Sequence, residues 1–186
     1  MVENERSNFL LIVTWVSGSW KTTLVNELVS AHGFAQPLQF TTRLPRWDKE
    51  MDEYIFLSKE VFSKKLENWD FCENVIYWND YYALTSFMDF SKPNVVIVDP
   101  VWKAQVQKHC KINWIRCVTL YLDIDEDIME HRLWMYRGST VSEIEKRKKD
   151  FLYFSQEWYD YVVDWRDTSA NVLRHVLNIL KTNGIS

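Results

Sequence analysis

Glycine is scarce in this sequence: the 186 residues include 4 glycines, whereas average usage predicts about 13. Cysteine is also rare. Cys72, Cys110 and Cys117 are an odd number without metal-ligand spacing, which favours reduced thiols and a cytoplasmic protein. The net charge of -4 shows no basic excess, so we expect no nucleic-acid or membrane partner. No apolar run is long enough to span a bilayer, and the polar first six residues do not resemble a secretory signal.

Tryptophan, by contrast, is abundant, with 10 residues. Three of them follow Asn or Asp where a turn ordinarily takes glycine, at Asn68-Trp69, Asn113-Trp114 and Asp164-Trp165. The glycine and tryptophan counts together approach an ordinary glycine content, so we hypothesise that many tryptophans stand at glycine positions. One route is a reading error, because UGA encodes glycine in some genetic codes and tryptophan in others. A tryptophan-rich core is the alternative, and composition leaves both open.

The order of apolar segments predicts an α/β fold. Continuous apolar runs at residues 9–13, 95–98 and 118–122 are typical of strands buried on both faces, and residues 160–163 predict a last short strand. Helical spacing is found at residues 22–31, 58–66, 125–133 and 171–180, and Gly33 follows the first of these helices. The alternation predicts one domain with a parallel sheet of about five strands, covered by helices on both sides.

Two segments interrupt this alternation. Residues 36–92 are rich in aromatic side chains and short strand-like pieces, which predicts an inserted subdomain. Residues 136–158 contain a charged helix, for which an ordinary solvated face is the alternative. The core is therefore expected at residues 8–35, 93–135 and 159–186.

A phosphate-binding loop is predicted between the first strand and the first helix. Its residues are Trp15, Val16, Ser17, Gly18, Ser19, Trp20, Lys21 and Thr22, followed by Thr23. They match the pattern GxxxxGK[ST] except at its two glycines, which are Trp15 and Trp20. In such a loop, backbone N–H groups surround the phosphates of ATP, while the lysine reaches the outer phosphates and the threonine hydroxyl ligates Mg²⁺. Bulky side chains at the glycine positions strain the backbone and obstruct the phosphates, so we expect the printed sequence to bind ATP badly.

Further motifs resemble the guanylate kinase family of P-loop nucleoside monophosphate kinases. The matching residues are Thr41-Thr42-Arg43-Leu44-Pro45-Arg46 with Tyr54, Phe71-Cys72-Glu73, Trp78-Asn79-Asp80-Tyr81-Tyr82, Val98-Asp99-Pro100-Val101-Trp102, and Arg132, Arg137-Gly138 and Arg147. These motifs follow the family's order across nearly the whole chain. Family glycines are replaced by tryptophan at Trp15, Trp20, Trp78 and Trp102, and by the same comparison at Trp47 and Trp69. The resemblance implies a P-loop NTPase three-layer fold, with a nucleotide-binding insertion at residues 36–92 and a helical lid at 136–158.

The resemblance also implies phosphoryl transfer from ATP to GMP with Mg²⁺. On the acceptor side, Glu73 would accept hydrogen bonds from the guanine N1–H and 2-amino groups, which adenine cannot offer. The other residues expected to bind the acceptor are Gln39, Arg43, Arg46, Tyr54, Tyr82, Thr85 and Asp99. The residues expected to support Mg²⁺ are Thr22 and Asp99. The residues expected to stabilise the transferring phosphoryl group are Lys21, Arg43, Arg132, Arg137 and Arg147.

Some departures from the family pattern do not involve tryptophan. Gln39 stands where the family usually has a base-contacting serine, and Val101 replaces a glutamine. Ala83-Leu84-Thr85 also replaces a glycine followed by a threonine or serine. These changes leave open a kinase for a related acceptor such as dGMP, another nucleoside monophosphate or a sugar phosphate. If the tryptophans are genuine, an inactive protein-binding module is a third reading, although the retained Lys21 and Glu73 argue against it.

Overall fold

Strands and helices alternate along most of the chain. The structure is a computed structural model that describes residues 8–15, 21–45, 54–77, 79–137, 139–155, 158–166 and 168–185. In chain order the elements are β1 (Phe9–Trp15), α1 (Lys21–Ala31), β2 (Gln39–Thr41), β3 (Ile55–Phe56), α2 (Lys59–Glu67), β4 (Phe71–Tyr77), β5 (Asp80–Thr85), β6 (Asn94–Ile97), α3 (Pro100–Ile112), β7 (Arg116–Asp123), α4 (Glu126–Arg137), α5 (Val141–Ser155), β8 (Tyr161–Asp164) and α6 (Ser169–Thr182). Each predicted strand and helix of the core is present.

The main sheet is parallel, with strand order β6-β1-β7-β8. Within it, Val13 of β1 pairs with Ile97 of β6 on one side and Leu120 of β7 on the other. The side chains at residues 9–13 are completely buried, which confirms that β1 is covered on both faces. The carboxyl ends of β6, β1 and β7 consequently meet at one edge of the sheet.

The described part of this sheet has four strands, one fewer than predicted. At the open edge of β6, Ala35 forms a single parallel bridge with Asn94. The Ala35 N–H donates to the Pro93 carbonyl at 2.9 Å, and the Val95 N–H donates back to the Ala35 carbonyl at 2.9 Å. Pro37 follows two residues later and has no N–H to continue the ladder, which explains why this segment does not become a fifth strand.

A second sheet lies within residues 39–85, inside the predicted insertion, and has the strand order β3-β2-β5-β4. β2 pairs in parallel with β3 and antiparallel with β5, which also forms a hairpin with β4. One face of this sheet packs on α2 through Phe40, Phe62 and Phe71. The other face packs towards α3 through Val75 and Leu84. We call this second surface the α3-facing side of the insertion sheet.

Helix α3 packs between the two sheets, and the sequence interpretation did not identify it. Its first turn carries two ordinary start signals: Asp99 is the N-cap, and Pro100 is the first helical residue. Trp102, Val106 and Cys110 recur at four-residue spacing and are all buried. This stripe packs α3 between β1 and β6 of the main sheet and Val75 of the insertion sheet.

The predicted lid segment is helical. At its start, Thr140 and Glu143 form a capping box: the Glu143 N–H donates to Thr140 Oγ1 at 3.3 Å, and the Thr140 N–H donates to Glu143 Oε2 at 2.8 Å. Lys148 of α5 reaches Glu130 of α4 at 2.8 Å and lies 3.7 Å from Glu126. The pair of charged helices is therefore joined by ion pairs as well as by the short connection between them.

Helix α6 closes the chain with an amphipathic pattern, as predicted. Thr168 caps its start, and Val172, Val176, Ile179 and Leu180 are buried against the main sheet. Across the described ranges, no helix is both long enough and apolar enough to cross a membrane.

Four of the tryptophans that the structure describes fall into two structural groups. Trp69 and Trp114 have left-handed backbones, with φ of 61° and 56°, and their side chains are 84% and 88% exposed. Glycine favours this conformation and no packing compensates for it here, so these two positions support the glycine hypothesis. Trp102 and Trp165 instead lie in the core at 2% and 4% exposure. The expected turn at Asp164-Trp165 is wrong, because the Trp165 N–H extends the strand pairing by donating to the Asp123 carbonyl at 2.7 Å.

Candidate active site

The carboxyl edge of the main sheet carries the predicted phosphate-binding region. β1 ends at Trp15 and α1 begins at Lys21, so the described residues on either side of the predicted loop lie at this edge. The predicted loop residues Val16, Ser17, Gly18, Ser19 and Trp20 lie outside the described residues, as does Arg46. The side chains of Trp15, Lys21 and Arg137 also lie outside the description. The described elements, a strand followed by a helix, are the two that flank a phosphate loop.

Thr22 and Asp99 are the predicted magnesium-supporting residues at this edge. Thr22 is half-buried in the first turn of α1, and Asp99 follows β6. One Asp99 carboxylate oxygen accepts the Trp102 N–H at 2.9 Å, which makes Asp99 the N-cap of α3. A hydroxyl and a carboxylate are the hard oxygen donors that Mg²⁺ prefers, so the chemistry of this pair fits the ion.

Thr23 occupies a different environment from Thr22. It is exposed and lines a surface groove between α1 and α6, together with Glu27, Trp165, Ser169 and Leu173. The structure therefore places Thr23 beside α6.

Three of the residues predicted to hold the acceptor phosphate, Arg43, Tyr54 and Tyr82, converge on the α3-facing side of the insertion sheet. Tyr82 of β5 lies directly opposite the buried Thr41 of β2. The Tyr54 ring meets the Tyr82 ring edge-on at a centroid distance of 6.4 Å. The Arg43 guanidinium lies 5.2 Å from the centre of the Tyr54 ring, and its Nη1 donates to the Leu44 carbonyl at 3.1 Å. A guanidinium and two phenol groups thus come together in the structure.

A second row of side chains crosses the same face of the sheet. Glu73 of β4 is paired with Leu84 of β5, and Leu84 is paired with Gln39 of β2. Side chains directly opposite one another point to the same face, so these three residues form one line across three strands. Tyr82 lies two residues from Leu84 and therefore on the same face. The structure brings Glu73, Gln39 and the tyrosine–arginine group to one side of the sheet.

Glu73 lies beside the last turns of α3. Its Oε1 is 3.9 Å from Nδ1 of His109. Partial burial raises the pKa of Glu73, and the positive charge of Lys108 opposes that rise. Burial lowers the pKa of His109, so its ring is mainly neutral at pH 7 and does not neutralise the carboxylate. The sequence interpretation overlooked His109, and the buried stripe of α3 was the signal that could have placed it opposite β4.

Gln39 and Thr85, both predicted to bind the acceptor, lie in environments that differ from that expectation. Gln39 is 3% exposed, and its Nε2 donates to the Ile97 carbonyl at 2.8 Å, so this amide nitrogen already has a partner. Thr85 lies on the opposite face from Tyr82, because side chains alternate along β5, and its Oγ1 accepts the Phe87 N–H at 3.1 Å. Leu84, and not Thr85, therefore lies on the α3-facing side of the insertion sheet.

The two described lid arginines lie on the sides of α4 and α5 that turn towards the body of the protein. Arg132 is half-buried one turn after the fully buried Met129, and Arg147 is half-buried one turn after the buried Ile144. Both helices are therefore anchored in the core next to the arginine they carry.

Comparison with solved structures defines the class of protein. The crystal structure of guanylate kinase from Anaplasma phagocytophilum superimposes with a TM-score of 0.72 at 14% identity, covering 98% of this chain and 89% of that one. A gluconokinase from Sinorhizobium meliloti 1021 gives a TM-score of 0.52 at 17% identity, with 96% and 94% coverage. The fold is the α/β fold of a P-loop NTPase.

Comparison with curated sequences identifies the family, although no protein-family model matches the chain. A guanylate kinase of Helicobacter pylori (strain ATCC 700392 / 26695) is 30% identical over 187 residues, covering 93% of this chain and 86% of the relative. One from Protochlamydia amoebophila (strain UWE25) is 27% identical over 184 residues, with 93% and 91% coverage. The chain belongs to the guanylate kinase family.

Proposed function

We propose that this protein transfers the γ-phosphoryl group of ATP to GMP, giving ADP and GDP. The observation that carries the proposal is the shared face of the insertion sheet, on which Glu73 and the Arg43–Tyr54–Tyr82 group lie in adjacent rows. This arrangement offers a carboxylate at one end and phosphate-binding groups at the other. A nucleoside monophosphate has the matching polarity, with its base and its phosphate at opposite ends.

The phosphate end would be held by Arg43, Tyr54 and Tyr82, with Arg46 from the adjacent segment. A guanidinium donates two parallel hydrogen bonds to a phosphate and neutralises its charge, while phenol hydroxyls add neutral donors. No general base is required, because the attacking oxygen of the acceptor already carries negative charge. Positioning and charge neutralisation are the main contributions that phosphoryl transfer demands of the protein.

The base end would be read by Glu73. Its ionised carboxylate has two oxygens that can accept from the N1–H and the 2-amino group of guanine together. Adenine presents an unprotonated N1 on that edge, so its complex would leave the carboxylate unpaired at a cost in affinity. Leu84 and Gln39 complete the row, and neither repeats the serine or threonine hydroxyls of the family pattern.

The donor end would be held at the carboxyl edge of the main sheet. Lys21 and the backbone of residues 15–20 would bind the phosphates of ATP, and Thr22 with Asp99 would support Mg²⁺. When bound, the ion neutralises phosphate charge and orients the oxygens for in-line transfer. Arg132, Arg137 and Arg147 of the lid would stabilise the negative charge that spreads over the transferring oxygens.

The test uses the full chain with glycine at Trp15, Trp20, Trp47, Trp69, Trp78 and Trp102. In an ADP-release assay, this protein should phosphorylate GMP much faster than AMP, CMP or UMP. The matched variant Glu73→Gln should narrow that preference, because an amide has only one oxygen to accept with. Equal rates on GMP and AMP would reject the guanine assignment. Phosphorylation of none of the four would reject the kinase assignment.

A further inference from the structure

The side chain of Trp102 fills the space beside the proposed acceptor site. It is 2% exposed and belongs to the cluster that includes Val75 and Leu84 from the insertion sheet and Val98 from the end of β6. Its ring lies 6.2 Å from the Tyr82 ring, centroid to centroid. The indole is therefore held between the first turn of α3 and the α3-facing side of the insertion sheet.

This location separates the two ends of the proposed acceptor site. Tyr82 is paired with Val75 on β4, and Glu73 lies two residues before Val75 on the same strand. At about 3.3 Å per residue, the two rows are about 7 Å apart along the strand. A nucleotide whose phosphate is held near Tyr82 and whose base reaches Glu73 must pass over Val75 and Leu84. Those side chains belong to the same buried cluster as Trp102.

The indole is poorly accommodated there. Its Nε1 is buried and has no hydrogen-bond partner among the residues that the structure describes. Buried tryptophan N–H groups usually have a hydrogen-bond partner. The space around Trp102 is therefore large enough for the indole ring but, among the described residues, provides no acceptor for its N–H. The backbone gives no reason for a large residue either, because residue 102 is an ordinary helical position whose N–H is capped by Asp99.

We infer that the volume occupied by the Trp102 indole is the part of the acceptor site that takes the purine ring, and that residue 102 controls access to it. The inference rests on the proposed function, since it takes Tyr82 and Glu73 as the two ends of that site. A small side chain at position 102 opens the site, and tryptophan closes it. The requirement is steric and is distinct from the left-handed backbone found at Trp69 and Trp114.

The experiment measures GMP binding by isothermal titration for the parent chain and for Trp102→Phe, Trp102→Leu, Trp102→Ala and Trp102→Gly. Affinity should rise as the side chain becomes smaller, with Trp102→Ala binding GMP about tenfold or more tightly than the parent. The matched control is Trp165→Ala. Trp165 is equally buried, but it packs in the core on the other side of the main sheet, so its removal should leave GMP binding unchanged.

Thermal unfolding establishes which variants fold. If Trp102→Ala and Trp102→Gly unfold the chain, the comparison of the parent with Trp102→Leu and Trp102→Phe still tests the inference. Parent and folded variants that bind GMP equally would overturn the inference, as would an equal gain in Trp165→Ala. Titration with AMP separates the two proposals. If affinity for AMP rises as much as affinity for GMP, the purine site at position 102 is supported and guanine selectivity is rejected. A folded series that binds neither nucleotide rejects the site.

Discussion

Trp114 and Gly184 occupy the same position in the same helix-ending motif. Each follows an asparagine C-cap, Asn113 of α3 or Asn183 of α6, and each has a left-handed backbone, with φ of 56° and 71°. In both motifs the next residue donates its N–H to a carbonyl five residues earlier, at 2.8 and 3.0 Å. Trp69 repeats the arrangement after Asn68 of α2. The chain thus contains an internal comparison between glycine and tryptophan at one kind of site.

Trp114→Gly should therefore stabilise the protein. A left-handed backbone costs an ordinary L-residue roughly 1–2 kcal/mol, and glycine avoids that strain. Because the indole is almost fully exposed, its removal forfeits little packing. We expect a gain of about 1 kcal/mol in the free energy of unfolding, measured by urea denaturation, and a similar gain for Trp69→Gly.

The control for this prediction is Trp134→Gly. Trp134 is also exposed, but it lies within α4, where glycine is unfavourable. This variant should lose about 0.5 kcal/mol. Stabilisation at all three positions would mean that removal of exposed indole, and not backbone conformation, explains the effect.

Two substitutions of Asp99 should distinguish its role as the N-cap of α3 from its proposed role in supporting Mg²⁺. Asp99→Asn keeps an oxygen that can cap α3 but removes the charge proposed to support Mg²⁺, so stability should stay near the parent while kcat falls. Asp99→Ala loses both, with about 1 kcal/mol lost from the free energy of unfolding. Denaturation and steady-state rates test this, measured in the background with glycine at Trp15, Trp20, Trp47, Trp69, Trp78 and Trp102 that the activity assay uses. Full activity in Asp99→Asn would reject the proposed role of Asp99 in supporting Mg²⁺.

The pH dependence of GMP phosphorylation should report the ionisation of Glu73. The carboxyl must be ionised to accept two guanine donors, and burial raises its pKa above the ordinary value of about 4.3. A raised pKa keeps the group protonated to higher pH. kcat/KM for GMP should therefore be at its maximum at neutral pH. On acidification it should begin to fall at a higher pH than it would if Glu73 had the pKa of an ordinary glutamate. An unchanged acid limb in Glu73→Gln would assign that limb to another group.

The two tryptophans of the phosphate loop give the simplest binding test. Isothermal titration with ATP and Mg²⁺ should detect no binding to the printed sequence. Trp15→Gly combined with Trp20→Gly should restore it. Two strained positions at roughly 1–3 kcal/mol each weaken binding by about 30-fold to more than 10⁴-fold. Micromolar binding by the printed sequence would contradict the glycine hypothesis at these positions.

The main sheet was predictable because its strands are buried on both faces, so their sequences are short continuous apolar runs at residues 9–13, 95–98 and 118–122. The resemblance in the motifs also named Arg43, Tyr54 and Tyr82 as one group, and their side chains lie together in the structure. α3 was not predicted, although Asp99 and Pro100 form a normal helix start and Trp102, Val106 and Cys110 recur at helical spacing.

The row of side chains proposed to read the base was harder to predict, since it depends on strand register. A bulge between Phe71 and Glu73 determines which β4 side chains oppose Leu84, and no residue pattern in that segment specifies it. The same register places Thr85 on the far face and leaves Leu84 beside Gln39. The position of the Trp102 indole follows from α3 packing against that face, so it could be known only after both sheets were placed.

The Gln39 side chain has a consequence for solubility. β6 is an edge strand, and such an edge offers unpaired backbone groups on which a strand of another molecule can assemble. Ala35 covers the beginning of that edge through its bridge with Asn94, and the Gln39 amide covers its end at the Ile97 carbonyl. The connection into the insertion sheet therefore also leaves fewer unpaired backbone groups at this edge for intermolecular strand addition.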